Sequence, residues 1–272
     1  MKYINLLFLF VFATFLNSCE DVVPVNLNAA PPKLVIDAAI NWQKGTSGNE
    51  QKIILTTTTD FYSNTIPTVS GALVQVKNSN NIVYNFIEKP NSGEYLCTNF
   101  LPQINETYTL TVSYNGQTYT AEETLKSVAP IEKIVQNNEG GFTGTDIEIK
   151  TFYTDPADVE NYYLYKYKYN DQAKSDFFVD LDLFFQGNTF FSISQKNDLE
   201  IGDKIEIFHY GISKGYYNYL KVLLSLGNSG GGPFQSPPAT VRGNIINTTD
   251  TGNYALGYFR LSEVATANYT VQ

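Results

Sequence analysis

Histidine is nearly absent from this chain. Its 272 residues hold one, His209, beside two cysteines, one tryptophan and one methionine. A Ser-His or Cys-His nucleophile system would have to be built on that imidazole. His209 therefore reads as a structural or surface residue, and no catalytic residue is expected. One His and two Cys also fall short of the usual zinc ligand set. Basic residues are outnumbered, 18 Lys and Arg against 27 Asp and Glu, with no Lys/Arg-rich block. Phosphates would be repelled by the net charge of -9, so no nucleic-acid partner is expected. The apolar run from Ile4 to Leu16 is interrupted by Asn5 and Thr14 and follows a single basic residue, Lys2. That is the length and polarity of a secretory signal, not of a membrane span.

What is present begins with an address. Residues 1–18 read as a signal peptide that is removed, and the stretch Leu16-Asn17-Ser18-Cys19 resembles the lipobox of bacterial lipoproteins. There the Cys19 sulfur and the new amino terminus would carry acyl chains. Three chains hold a membrane far more firmly than one, which gives only marginal anchoring. Glu20 and Asp21 follow directly, resembling the export signal that sends Bacteroidota lipoproteins to the outer face of the outer membrane. Residues 19–32, with three prolines between Val22 and Pro32 and no repeating period, read as a tether. With Cys19 acylated, Cys97 in the apolar run Glu94-Tyr95-Leu96-Cys97 has no sequence-mate left and is expected to be a buried free thiol.

The 20 Tyr and 18 Phe, with abundant Thr, Val and Ile, lean towards strands. Residues 33–127 show seven strand-like stretches between turn signals: 34–40, 51–58, 72–77, 82–87, 95–98, 108–114 and 117–124. Asn115-Gly116 supplies the positive φ angles of a two-residue hairpin turn. Tyr114 then faces Gln117, Val112 faces Tyr119 and Leu110 faces Ala121. These features predict an immunoglobulin-like β-sandwich. Residues 128–145, with Pro130, two adjacent Asn and three Gly, read as a linker. Residues 146–272 are expected to form a second β-rich domain with one helix near 213–226. Ser213 caps that helix, Tyr216, Tyr219, Leu220, Leu223 and Leu226 form its apolar stripe, and Gly227 stops it.

Candidate chemistry is sparse. Asp180 and Asp182, two apart in Asp180-Leu181-Asp182-Leu183, project from one face of a strand, where paired carboxylates could cleave a glycoside or hold calcium. A solvated strand face explains the same pattern. Asp155-Pro156-Ala157-Asp158 has the look of a metal-binding turn that an Asp-Pro turn also explains. Gly230-Gly231-Gly232-Pro233-Phe234 lacks the Lys and Ser/Thr of a phosphate loop and follows a helix. It reads as a flexible connection that could contact a ligand or partner. Tyr163, Tyr165, Tyr167 and Tyr169 alternate with Tyr162, Leu164, Lys166 and Lys168, and such rings serve cores, sugars or interfaces. No cofactor is implied. Glycines at 252 and 257 are expected to take backbone geometries other residues resist.

In order, Phe152-Tyr153-Thr154-Asp155-Pro156, Asn161-Tyr162-Tyr163, Ile201-Gly202-Asp203, the 216–226 stretch, Gly232-Pro233-Phe234, Pro237-Pro238, Gly243-Asn244-Ile245 and Ala255-Leu256-Gly257-Tyr258-Phe259 resemble an uncharacterised family of Bacteroidota lipoproteins. This is the domain-of-unknown-function family 4249, and with the lipobox and the Asn115-Gly116 hairpin the match spans nearly the whole mature chain. Its members are typically encoded beside TonB-dependent outer-membrane receptors. The resemblance therefore implies a non-enzymatic surface lipoprotein accessory to such a receptor, and it carries over no catalytic residue and no ligand. A surface glycan-active enzyme using Asp180 and Asp182, and an accessory subunit of an outer-membrane assembly or secretion machine, are the rival expectations.

Overall fold

Alternation of apolar and polar side chains sends every second residue of a strand to the same face, and the first strand shows the consequence. In a computed structural model of the chain, β1 (Leu34–Gln43) buries Leu34, Ile36, Ala38 and Ile40. The structure describes residues 31–60, 63–141, 144–157, 159–170, 172, 175–182, 186–194, 196, 198–227 and 240–272. After β1 come β2 (Gln51–Thr57), β3 (Leu73–Asn78), β4 (Val83–Glu88), β5 (Glu94–Cys97), β6 (Thr107–Tyr114) and β7 (Gln117–Thr124), matching the seven expected stretches. The β6–β7 hairpin pairs Tyr114 with Gln117, Val112 with Tyr119 and Leu110 with Ala121. Asn115 and Gly116 both have positive φ, 47° and 72°, as a primed two-residue turn requires.

Strand β4 belongs to both layers. Its residues Val83–Phe86 pair with β3, whereas Ile87 and Glu88 pair with β5. The sheet therefore folds over at β4 and closes a sandwich around Ile36, Leu55, Val76, Tyr95, Leu110 and their neighbours. Cys97 lies in this core, buried and free.

The second half adds β8 (Lys133–Gly140), β9 (Asp146–Thr154), β10 (Tyr162–Tyr169), β11 (Ser175–Leu181), β12 (Thr189–Ile193) and β13 (Lys204–Ile212). Then come the helix α1 (Lys214–Gly227), β14 (Ile246–Asn247) and β15 (Leu256–Thr270). Strand β15 runs parallel to β1 from the pair Val35 and Leu256 onward, and antiparallel to β13 on its other side. Among the described residues one twelve-stranded sheet results, in the order β11-β10-β13-β15-β1-β2-β5-β4-β3-β6-β7-β14, with β12-β9-β8 as a separate three-stranded sheet. Residues 128–145, read as a linker in the sequence, contain β8, and Pro32–Gln272 is one compact unit. The whole is mainly β: an immunoglobulin-like sandwich followed by a second β-rich part carrying one packed helix.

The Ser213 hydroxyl caps α1, accepting from the Tyr216 N–H at 3.2 Å and donating to Glu123 Oε2 at 2.7 Å. The helix thus starts from a side chain of β7. Its buried stripe is rotated from the expected one. Tyr217 and Leu220 are the most buried and Leu223 is 41% exposed. The cause is aromatic packing on both flanks. Tyr217 meets Tyr162 at 5.1 Å between ring centroids, and Tyr216 and Tyr219 meet Tyr258 at 4.8 and 4.9 Å.

Two stretches distant from each other in sequence meet where β15 begins. A Cβ on Gly257, whose φ is +98°, would lie 2.0 Å from the Ile36 carbonyl oxygen, and one on Gly243 would lie 1.8 Å from the Gly257 carbonyl oxygen. Asn244 brackets Phe259, accepting from its N–H and donating to its C=O, both at 2.9 Å. Gly252, in contrast, has no left-handed φ and only Asp250 Oδ1 near its missing Cβ. In urea unfolding, Gly257→Ala and Gly243→Ala are each expected to cost about 3 kcal/mol, and Gly252→Ala to stay within about 1 kcal/mol. Equal effects at the three positions would contradict this account of the β1–β15 junction.

Candidate functional site

Strand β10 directs its alternation into a core shared with the three-stranded sheet. Tyr163, Tyr165, Tyr167 and Tyr169 are 0–2% exposed and pack with Ile149, Tyr153 and Ile207. Burying a phenol leaves its hydroxyl in need of a partner, and β9, β12 and the residues after them supply one for each. Tyr163 donates to Asp155 Oδ1 at 2.5 Å and Tyr165 donates to the Tyr153 hydroxyl at 2.7 Å. Tyr167 shares a hydrogen bond with Ser192 Oγ at 2.5 Å, and Tyr169 with Ser194 Oγ at 2.7 Å. Burial pushes the phenols of Tyr153, Tyr163 and Tyr165 well above their ordinary value, with the neighbouring Asp155 adding to the effect on Tyr163.

His209 lies within this group, fully buried and opposite Tyr165 in the β10–β13 pairing. Its ring stacks on Tyr165 at 4.9 Å and 16°, with Tyr153 and Tyr163 at 4.6 and 4.7 Å. Neither imidazole nitrogen makes a hydrogen bond of ordinary geometry. Burial, offset only in part by the Ala129 backbone, pushes its pKa down to about 3. A neutral ring shut from solvent and stacked among three tyrosines serves here as packing.

The carboxylates named by sequence are arranged differently from their spacing alone. Asp180 and Asp182 do share a face, and both help to raise the Tyr153 phenol. Asp182, fully buried, is nevertheless in contact with Asp155, which is 1% exposed. The Asp-Pro turn after β9 brings Asp155 there, and the Asn161 N–H holds Asp182 Oδ2 at 2.7 Å. Asp180 is half-buried. Burial raises its carboxyl, and the Leu181 N–H, 2.8 Å from Oδ1, counteracts that. Among the described residues no group of three or more His, Cys, Asp or Glu is placed to hold a metal ion. A cavity of about 330 Å³ is lined by Pro156 and Asn161, neighbours of the acid pair, yet neither Asp155 nor Asp182 lines it.

Cys19, Glu20, Asp21 and the stretch Gly230, Gly231, Gly232, Pro233 and Phe234 lie outside the described residues. The Asp155–Asp182 contact was missed by sequence reasoning. The signal available for it was an Asp-Pro turn upstream of a paired-Asp strand, and nothing in either stretch states that they meet.

The model of the family described as "Domain of unknown function (DUF4249)" matches residues 20–268. No curated protein matches the chain. Among solved structures it is similar to a two fibronectin type-III domain segment of chicken tenascin, at 12% identity and TM-score 0.22 over 66% of this chain and 90% of that one. It is also similar to a DUF4785 family protein from Legionella pneumophila, at 9% identity and TM-score 0.26 over 65% and 52% of the two chains. A cytokine receptor complex matches at 7% identity and TM-score 0.27 over 86% and 95%.

A histidine neutral in the fold but protonated on unfolding makes stability depend on pH. Its folded pKa, about 3, lies below the ordinary 6.5, so its contribution is complete above pH 6.5 and is lost as the pH falls towards 3. His209→Phe keeps the stacked ring and removes the proton. Over that window the wild-type unfolding constant should rise by up to about tenfold per pH unit more steeply than that of the variant. Parallel pH profiles would contradict a sealed, neutral His209.

Proposed function

We propose a function for this chain, which belongs to the DUF4249 family: a non-enzymatic surface lipoprotein, anchored through Cys19, that serves a TonB-dependent outer-membrane uptake system by binding its substrate or capping its receptor. One structural observation carries the non-enzymatic part. The groups that acid-base or nucleophilic chemistry would need, His209, Asp155 and Asp182, are 0–1% exposed beneath packed tyrosines. A general acid or base must come within hydrogen-bond reach of the proton it moves, and no substrate reaches these. The same burial counts against glycoside cleavage by Asp180 and Asp182, since Asp182 faces Asp155.

The location rests on the sequence of residues 16–21. A triacylated Cys19 holds the chain at a membrane, and Glu20 and Asp21 direct it to the cell surface. The partner rests on the resemblance to lipoproteins encoded beside such receptors. We assign Gly230 to Phe234 to that contact on composition, since three glycines beside one aromatic residue, Phe234, suit a partner-contacting stretch.

Co-purification in mild detergent from the native outer membrane tests the proposal. A TonB-dependent receptor is expected in near-equal amount with the wild type and absent with Cys19→Ala. Phe234→Ala should reduce the recovered receptor at least tenfold with an unchanged melting temperature. Recovery of the lipoprotein alone, or with an assembly or secretion component, would overturn the assignment.

A further inference from the structure

Asp155 and Asp182 touch, and each keeps one deeply buried oxygen without a hydrogen-bond partner, Oδ2 of Asp155 and Oδ1 of Asp182. Their other oxygens are occupied, by the Tyr163 hydroxyl at 2.5 Å and by the Asn161 N–H at 2.7 Å. Two ionised carboxylates in contact would repel strongly where the effective dielectric is low, and two acceptors cannot satisfy each other. A single hydrogen between them removes one charge and turns one oxygen into a donor.

We propose that Asp155 and Asp182 form a buried proton-binding site, in which one proton is held between the two carboxyl groups and ties the end of β9 to the end of β11. The groups facing the pair are in keeping with this. Tyr153 of β9 and Tyr163 and Tyr165 of β10 stay neutral through the physiological range, and His209 of β13 is neutral above about pH 3. Asp180 of β11, half-buried, acts on the Tyr153 phenol. No lysine or arginine is among the groups acting on Asp155, where burial and Asp182 raise the carboxyl, and Tyr163 and the Gly187 N–H offset part of the rise.

The sign of the linkage follows. A carboxyl that keeps its proton in the fold contributes stability that is complete below the ordinary carboxylate pKa and is lost as the pH rises through its raised value. Asn at either position keeps the shape, and its amide N–H replaces the shared proton. Unfolding constants of the full chain from pH 4 to pH 8 are therefore compared for the wild type, Asp155→Asn, Asp182→Asn and the double variant. Above the ordinary carboxylate range the wild-type constant should rise with pH by about tenfold per unit more steeply than in either single variant. The double variant should change the slope no further. Independently of any variant, the wild type should show the infrared carbonyl stretch of a protonated carboxyl at neutral pH. Slopes equal to the wild type in both single variants, additive slopes in the double variant, or no such stretch would overturn the proposal. Stabilisation of the wild type but not of the single variants by millimolar calcium would replace the proton by a cation.

Discussion

The hydroxyl tips of one strand hold the second half of this protein together. Four tyrosines on one face of β10 span from the large sheet to the small one, and each ends on a hydrogen-bond partner beyond it. A phenol buried without a partner would forfeit about 1–3 kcal/mol of what its ring gains, so these bonds favour the residues of β9 and β12 that lie opposite β10. The other face of the same strand carries Tyr162 and Leu164, against which α1 packs through Tyr217 and Leu220. One alternating run therefore supports a sheet on one side and a helix on the other. Leu164 on that second face and His209 beneath the first are packed by the same pairing of β10 with β13.

That arrangement explains why the ionisable groups are sealed. Rings close around His209, and the end of the tyrosine row, Tyr163, closes over Asp155 and through it reaches Asp182. What could have been a base and a carboxylate dyad in an open cleft serves instead as filling beneath an aromatic layer.

Much of this was legible in local pattern. Period-two alternation located β1 to β7, and Asn115-Gly116 fixed the β6–β7 register because both residues accept the left-handed backbone that the turn demands. Ser213 and Gly227 bounded the helix for equally local reasons. Long-range partners were not legible. Nothing in the composition of β15 states that it lies parallel to β1, more than two hundred residues earlier, and the crossing of β4 between layers depends on where its partners arrive. The same limit governs the site. A spacing of two put Asp180 and Asp182 on one face, but only the turn at Asp155 decided which carboxyl Asp182 would meet. The helix stripe was misjudged by a fraction of a turn because Tyr162 of β10 packs on Tyr217, a residue the spacing alone leaves off the stripe.

The central claim is that the chemistry-bearing residues His209, Asp155 and Asp182 are shut away from solvent, and the proposed binding role rests on it. With one histidine in the chain, diethyl pyrocarbonate labelling at pH 6 read by peptide mass spectrometry reports on that claim directly. The account predicts that His209 in the native protein acquires no ethoxyformyl adduct until the chain unfolds, and then reacts as a free imidazole. Labelling of His209 in the folded protein at the rate of an exposed imidazole would contradict it, and would reopen the cluster to substrate.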